Sequence, residues 1–339
     1  MLLSKYIRKK FDEVLGRYEG NELDYYFSPK DFPDIKVKNF DVVSDYKGVM
    51  KTNVNNKEME IKIDKKATLK GNFYYYGELR TDEIIIFDHG IGAGHLAYFK
   101  EIELLARHGY TVYSYDHTGC VSSEGDGITS FSQGVHDLDN VINAIKNTDQ
   151  FKDTTFKLVG HSWGGYSAMN VVVFQPKVTH VVSLAGFLSA RALCSQYIPS
   201  FVQRYVKEVM DDERMKNPKY ADLDAQYSLK ESTAKLMYLQ SKDDDMVKYN
   251  YAMEPLKSAL GERKDTYFLS FENRRHDPYL TDRAVALDVE RTEKQKKLKK
   301  AGKLSTEAEK NEFKNSYDPN ALNELDPVVW EKIFEFLQS

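Results

Sequence analysis

Residues Gly160-His161-Ser162-Trp163-Gly164 form a G-x-S-x-G pentapeptide, preceded by an extended apolar run (Phe156, Leu158, Val159) and followed by a helix-like segment. A serine on a sharp strand-to-helix turn is forced into a strained backbone conformation, so the residues two positions away on either side have to be small; here they are Gly160 and Gly164. Such a turn lifts the Ser162 hydroxyl clear of a sheet, at the positive end of the next helix. The chemistry this implies is nucleophilic attack on a carbonyl. It needs a base and an acid to orient that base, and both occur at the ends of later apolar runs. Leu236-Met237-Tyr238-Leu239 leads into Ser241-Lys242-Asp243-Asp244-Asp245-Met246-Val247, with three adjacent carboxylates, and Tyr267-Phe268-Leu269-Ser270-Phe271 leads into Glu272-Asn273-Arg274-Arg275-His276-Asp277-Pro278, with one histidine. In the order Ser, Asp, His, His276 takes the Ser162 proton during attack and returns it to the leaving group, while the carboxylate fixes the imidazole tautomer.

Attack on a carbonyl also needs donors for the oxyanion. One is the backbone N–H of Trp163, the residue after the nucleophile; the other is expected from the loop Asp88-His89-Gly90-Ile91-Gly92-Ala93-Gly94, at Ile91 or, failing that, Gly92. The same loop admits a rival reading. Strand, Gly90-x-Gly92-x-Gly94, helix, strand and Asp116 resemble a dinucleotide-binding unit, but the third glycine would have to stand at position 95, which is His95, and Asp88-His89 intrudes before the glycines.

The elements that must position these groups follow from periodicity. Ile84-Ile85-Ile86-Phe87 reads as a buried strand, Leu96 to Arg107 as an amphipathic helix closed by Gly109, and Thr111 to Tyr115 as the next strand. Ser130 is expected to cap a helix carrying Val135, Leu138, Ile142 and Ile145 on one face; Phe156 to Val159, Val178 to Leu184, Lys235 to Leu239 and Thr266 to Phe271 read as strands. This alternation predicts an α/β protein with a mostly parallel sheet covered by helices on both faces. Alternating stretches from Ile35 to Gly77 predict antiparallel strands at the sheet edge. Asp326 and Pro327 open a last helix that buries Val329, Ile333, Phe334 and Leu337.

Three segments stand outside the alternation. The start of the chain places Leu3, Ile7, Phe11 and Val14 at helical spacing among lysines and arginines, a helix expected to dock on the body or a partner, with contact to a membrane surface as the alternative. Between Phe187 and Ser232, Tyr197, Ile198, Phe201, Val202, Tyr205, Val206 and Val209 fall at helical spacing and predict a helical cap. The division expected is therefore a core of residues 1–186 and 233–339 and a cap of 187–232. The charged stretch Arg291 to Lys314 mixes both signs and reads as a solvated helix pair or loop.

Composition narrows the class. The chain has 339 residues, 41% of them apolar and 13% aromatic, enough to fill a large core, and a formal charge of −4 gives no sign of a nucleic-acid surface. Its two cysteines, Cys120 and Cys194, cannot build a disulfide framework, and no Cys/His cluster with metal-ligand spacing occurs, so neither metal nor organic cofactor is expected. With no long apolar run and no signal-peptide pattern, a cytoplasmic location without stable membrane insertion is expected.

His89-Gly90-Ile91-Gly92-Ala93-Gly94, Tyr115-Asp116-His117-Thr118-Gly119-Cys120-Val121-Ser122-Ser123-Glu124-Gly125 and Gly160-His161-Ser162-Trp163-Gly164-Gly165 resemble the three signature blocks of the α/β-hydrolase superfamily, most of all the branch of monoacylglycerol lipases, lysophospholipases and serine aminopeptidase-like hydrolases. The resemblance spans Ile84 to His276 and the closing helix. It implies the acid three residues after the small residue that ends its strand and three before an apolar one; with Ser241 and Val247 in those places this selects Asp244, with Asp245 next. Two positions depart from the pattern: Val121 and Ser241 stand where relatives commonly have glycine. The expected function is a serine hydrolase cleaving a small carboxylic ester through Ser162, His276 and Asp244, with Phe187, Tyr197, Phe201 and Tyr205 of the cap lining an acyl pocket. Aminopeptidase, thioesterase or acyltransferase chemistry on the same residues, or ligand binding without catalysis, are the alternatives. For an aminopeptidase, Glu208, Asp211, Asp212 and Glu213 are the candidate carboxylates for an α-ammonium group, although they read first as a solvated helix end.

Overall fold

The computed structural model describes residues 15–54, 57–199, 201 and 203–339; the helix expected at the start of the chain lies outside them. The strands are β1 (Lys36–Asn39), β2 (Val42–Val54), β3 (Lys57–Leu69), β4 (Gly71–Tyr75), β5 (Glu83–Asp88), β6 (Thr111–Tyr115), β7 (Thr155–His161), β8 (Val178–Leu184), β9 (Lys235–Ser241) and β10 (Thr266–Phe271). Eight of them form one sheet in the order β1-β4-β6-β5-β7-β8-β9-β10, parallel from β6 to β10 and antiparallel at β1 and β4. The antiparallel edge expected from Ile35 to Gly77 is there, but only in part: β2 and β3 leave the sheet and pair with each other alone.

Along each central strand, side chains alternate between two cores, as the pleat requires. Ile84 and Ile86 of β5, Phe156 and Leu158 of β7 and Leu236 and Tyr238 of β9 enter one core. Ile85, Phe87, Val159, Met237 and Leu239 enter the other. The helices that cover the second face are α1 (Phe99–Arg107), through Phe99, Ile102 and Leu105, and the last helix of the chain. The first face is covered by α2 (Gln133–Lys146) and α3 (Trp163–Val171). The α2 helix begins at Ser132 rather than Ser130. No side chain of its own caps it; instead the buried Glu213 carboxylate accepts from the Phe131 N–H (2.7 Å), the Ser132 N–H (3.1 Å) and the Ser132 hydroxyl (2.7 Å). A carboxylate brought in from a distant helix thus serves the orphan donors of a helix start.

Between β8 and β9 the chain forms α4 (Ala190–Tyr197), α5 (Arg204–Lys216) and α6 (Ala225–Lys230). The single apolar helix expected around Tyr197, Phe201 and Tyr205 is divided, because Pro199 disfavours helical geometry at Ile198 and removes a backbone donor. After β9 come α7 (Met253–Leu260), then α8 (Asp282–Lys300), α9 (Glu307–Asn315), α10 (Pro319–Leu322) and α11 (Pro327–Gln338). The charged stretch lies in α8 and α9, a helix pair. Asp326 caps α11 by accepting from the Val328 and Val329 N–H groups, and Val329, Trp330, Ile333 and Leu337 seal the second core. Among the described residues no helix is long and apolar enough to cross a membrane.

The chain runs from β5 to β6 on one side and then to β7 on the other side of β5. In an open parallel sheet such a reversal leaves a crevice at the carboxyl ends of the two strands. The loops that follow β5 and β7 are the glycine-rich loop and the serine turn.

Candidate active site

Ser162 stands between the last residue of β7 and the first residue of α3 with φ 54° and ψ −109°, a conformation sparsely populated by any residue with a side chain. Two contacts hold it there. Its N–H donates to the Leu184 carbonyl (2.8 Å), and its carbonyl accepts from the Tyr166 N–H (2.9 Å). The flanking glycines are needed for space: a Cβ on Gly160 would lie 2.4 Å from the Gly164 backbone, and one on Gly164 2.0 Å from the Asp88 carbonyl oxygen. The second approach also brings the glycine-rich loop against the serine turn. The Ser162 side chain is half-buried, and the Trp163 N–H, at the start of α3, has no carbonyl one turn behind it in the helix.

Asp244 and His276 meet at the far strands. Both Asp244 oxygens lie within 3.0 Å of His276 Nδ1 (Oδ1 3.0 Å, Oδ2 2.9 Å). Oδ1 also accepts from the Met246 and Val247 N–H groups, each at 2.9 Å, and the Asp244 side chain is wholly buried. A carboxylate only accepts, so Nδ1 carries the proton and Nε2 is left as the basic nitrogen. Burial disfavours the imidazolium, but the bond to Asp244 and its charge outweigh burial, and the His276 pKa is raised above its ordinary value. The other two carboxylates are placed otherwise. Asp243 accepts from the Ser241 hydroxyl (2.5 Å) and the Arg275 N–H (3.2 Å), and Asp245 is largely exposed. Ser241 Oγ in turn accepts from the Arg274 N–H (3.1 Å), so the residue that departs from glycine ties the Asp244 loop to the His276 loop.

A chain of bonds that the sequence did not reveal joins the serine turn, the glycine-rich loop and the His276 loop. His161 Nε2 is 2.9 Å from the His276 carbonyl oxygen, which only accepts, so Nε2 carries the proton. Nδ1 then accepts from the Tyr98 hydroxyl (2.8 Å), and the Tyr98 oxygen accepts from the Gly90 N–H (3.2 Å). Burial and the neighbouring His276 push the His161 pKa down to about 4, in keeping with a neutral ring. The Gly90 amide is thereby engaged, one residue before Ile91. Beneath this loop, the wholly buried His117 bridges Asp88 (2.5 Å) and Asp137 (3.3 Å), and its N–H donates to His89 Nε2 (3.0 Å). Burial opposes the charge on His117, but Asp88 and Asp137 prevail and raise its pKa to about 9. Asp116, the residue a dinucleotide reading would place on a ribose, is instead bonded to the His95 ring (2.7 Å), the His95 N–H (2.8 Å) and the Ser122 N–H (3.1 Å).

The four residues expected to line an acyl pocket fall into two kinds of surroundings. Phe187 is buried and stacks on Tyr166 (centroids 4.4 Å apart), and Tyr205 is buried in the same core. Tyr197 is half-exposed, its hydroxyl donating to the Met246 carbonyl (2.6 Å), and Phe201 is 83% exposed. Of the carboxylates expected to meet an α-ammonium, Glu213 caps α2, Asp211 pairs with Lys207 and Arg214, and Asp212 pairs with Lys216; Glu208 is exposed. Three of the four are thus already compensated.

The sheet, its order and the strained serine turn at the crevice define an α/β hydrolase. Residues 80–257, just over half of the chain, match the family described as serine aminopeptidase, S33, and the chain belongs to it. Over 109 residues it is 33% identical to the Arabidopsis thaliana protein named "Putative methylesterase 15, chloroplastic", a match covering 32% of this chain and 23% of that protein, so the chain spans under a quarter of that relative's length. An esterase of Pyrococcus furiosus superposes with a TM-score of 0.53 at 16% identity, over 84% of this chain and 98% of that one. The acylaminoacyl peptidase of Pyrococcus horikoshii gives 0.50 at 18% identity, over 74% of this chain and 40% of that one. At such identities the likeness speaks to the fold.

Proposed function

We propose that this hydrolase cleaves a small carboxylic ester through an acyl-enzyme on Ser162, with His276 as the base, Asp244 as the group that orients it, and the Trp163 and Ile91 N–H groups as oxyanion donors. The observation that carries the reading is the two-oxygen contact of the buried Asp244 with His276 Nδ1, which leaves Nε2 basic, in a chain whose only G-x-S-x-G serine is held at φ 54°. Attack by Ser162 Oγ forms the tetrahedral intermediate as its proton passes to His276 Nε2; the same proton leaves with the alcohol, and a water repeats the sequence in reverse to free the acid. Ester rather than aminoacyl substrates are favoured because Asp211, Asp212 and Glu213 are already compensated.

The test is labelling by a fluorophosphonate probe together with a rate profile over p-nitrophenyl esters of increasing chain length and aminoacyl amides. Labelling confined to Ser162 and lost in Ser162→Ala, with esters turned over faster than amides, is the expected result. Undiminished ester hydrolysis by Ser162→Ala would sink the proposal.

A further inference from the structure

A cavity of about 280 Å³ lies between the His276 loop, the start of α1 and the C-terminal helices, and Ser162 is not among its lining residues. Glu101 lines it, only 3% exposed. Among the described residues, no other residue's donor reaches the Glu101 carboxylate. The nearest attraction comes from Lys100, but that ammonium is bonded to Asn320 Oδ1 (3.4 Å) and lies over the Phe27 ring (5.2 Å). Burial without a cation in contact pushes the Glu101 carboxyl up to about 8, and the charge of Asp277 adds to this.

Asp277, also in the lining, accepts from the Tyr279 hydroxyl (3.3 Å) and stands 3.7 Å from His161 Nε2, whose proton is given to His276. Two of the three cationic side chains of the lining are already shared with carboxylates outside Glu101 and Asp277. Arg291 pairs with Asp24 (2.6 Å) and Asp288 (3.7 Å), Arg275 lies 3.7 Å from Asp245 in the neighbouring loop, and Lys314 is the third. Tyr25, Tyr26, Tyr98, Tyr279 and Tyr317 complete the wall, and the Tyr317 hydroxyl is buried without a hydrogen-bond partner. A buried carboxyl without a countercharge, Glu101, with the half-buried Asp277 in the same tyrosine-walled space, is what an organic cation requires, since ring faces attract it and the carboxylates neutralise it.

We propose that this cavity is a binding site for a small organic cation, a primary or quaternary ammonium group, held by Glu101 and Asp277 and enclosed by the tyrosines. The site is separate from the nucleophile, but it shares Tyr98 and Asp277 with the network around His161 and His276. An inorganic cation would use the carboxylates and leave the tyrosines idle, which separates the two ligand classes.

The experiment is isothermal titration of the full-length protein with propylammonium and tetramethylammonium chloride, with sodium chloride as the control at constant ionic strength. One-to-one binding of either ammonium ion, on the order of millimolar or tighter and at least about tenfold tighter than sodium, is expected. Glu101→Gln should weaken it about tenfold or more without lowering Tm, since the amide keeps the shape of the neutral acid but cannot give up a proton to face the bound cation with a negative charge. Asp277→Asn should weaken it as well, and Ser162→Ala should bind as the wild type does, whatever becomes of the esterase proposal. Absence of binding at about 30 mM, sodium binding as tightly as the ammonium ions, or full binding by both carboxylate variants would each overturn the assignment.

Discussion

The loops after β9 and β10 and the segment between β8 and β9 lie on the same sheet, yet they are built on opposite terms. In the loops the polar groups near His276 are held by directional bonds: Asp244 is fixed by two backbone amides, His276 by Asp244, and the Arg274 and Arg275 amides by Ser241 and Asp243. In the segment, Tyr205 is buried while Phe201, a few residues earlier, is 83% exposed. The difference teaches that the contact of Asp244 with His276 is written in a small set of directional bonds, which a one-atom change can break, whereas the aromatic residues of the segment depend on burial, which varies from one residue to the next.

The sharpest way to break that comparison is at the acid. Asp244→Asn should lower kcat by about 10⁴ where geometry is kept, because an amide stabilises the wrong tautomer of His276. Asp243→Asn and Asp245→Asn should cost about tenfold or less, as steady-state rates on a p-nitrophenyl ester will show. A large loss at Asp245 instead would show that the wrong carboxylate had been assigned. Next comes Tyr98→Phe, which removes the proton given to His161 and the acceptor of the Gly90 amide; about a 10–100-fold fall in kcat with little change in KM is expected. If KM rises instead and kcat holds, Tyr98 serves binding rather than positioning.

A pH profile sharpens the same side. His276 must be neutral to accept a proton, and its pKa is raised, so kcat/KM should climb with pH through a midpoint above the ordinary histidine value of about 6.5. Asp244→Asn removes the bond and charge that raise it, and the midpoint should move down. On the other side of the comparison, Tyr205→Ala should lose about 3–5 kcal/mol in denaturant titrations, as a buried aromatic does, while Phe201→Ala should stay within about 0.5 kcal/mol. The smallest effect concerns Val121. Its φ of 41° is a strained conformation for a β-branched residue, and Val121→Gly should raise stability by about 0.5–1 kcal/mol, the relief partly offset by the flexibility of glycine.

How far the sequence reached follows the same division. The strands Thr111–Tyr115 and Val178–Leu184 were legible to the residue because they are buried runs rich in β-branched and aromatic residues, and the edge strand Thr266–Phe271 because its aromatic-rich run is bounded by charged residues. His276 was named from its place at a strand end and Asp244 from the hydrolase resemblance, which chose it among three adjacent carboxylates; the structure brings that pair into contact. What stayed hidden depends on contacts between distant parts of the chain. Tyr98 gave no sign of its tie to His161, 63 positions away, and Ser132 replaces Ser130 at the start of α2 because Glu213 arrives from α5 to serve its amides. Pro199 was a signal that helical spacing overrode. Glu101 left another: it stands three residues after Tyr98 and four before Leu105, a carboxylate on the buried stripe of an amphipathic helix, where charge has a cost.

The Glu213 carboxylate has a bearing on motion. Its three bonds fasten α5 to the first turn of α2, and bonds to a charged group contribute about 1.5–3 kcal/mol each. Lifting α5 as a lid would strip a helix start of its partners and leave a carboxylate to be rehydrated. Opening by that route is therefore a rare event, and α5 acts as a fixed wall of the fold rather than a moving one.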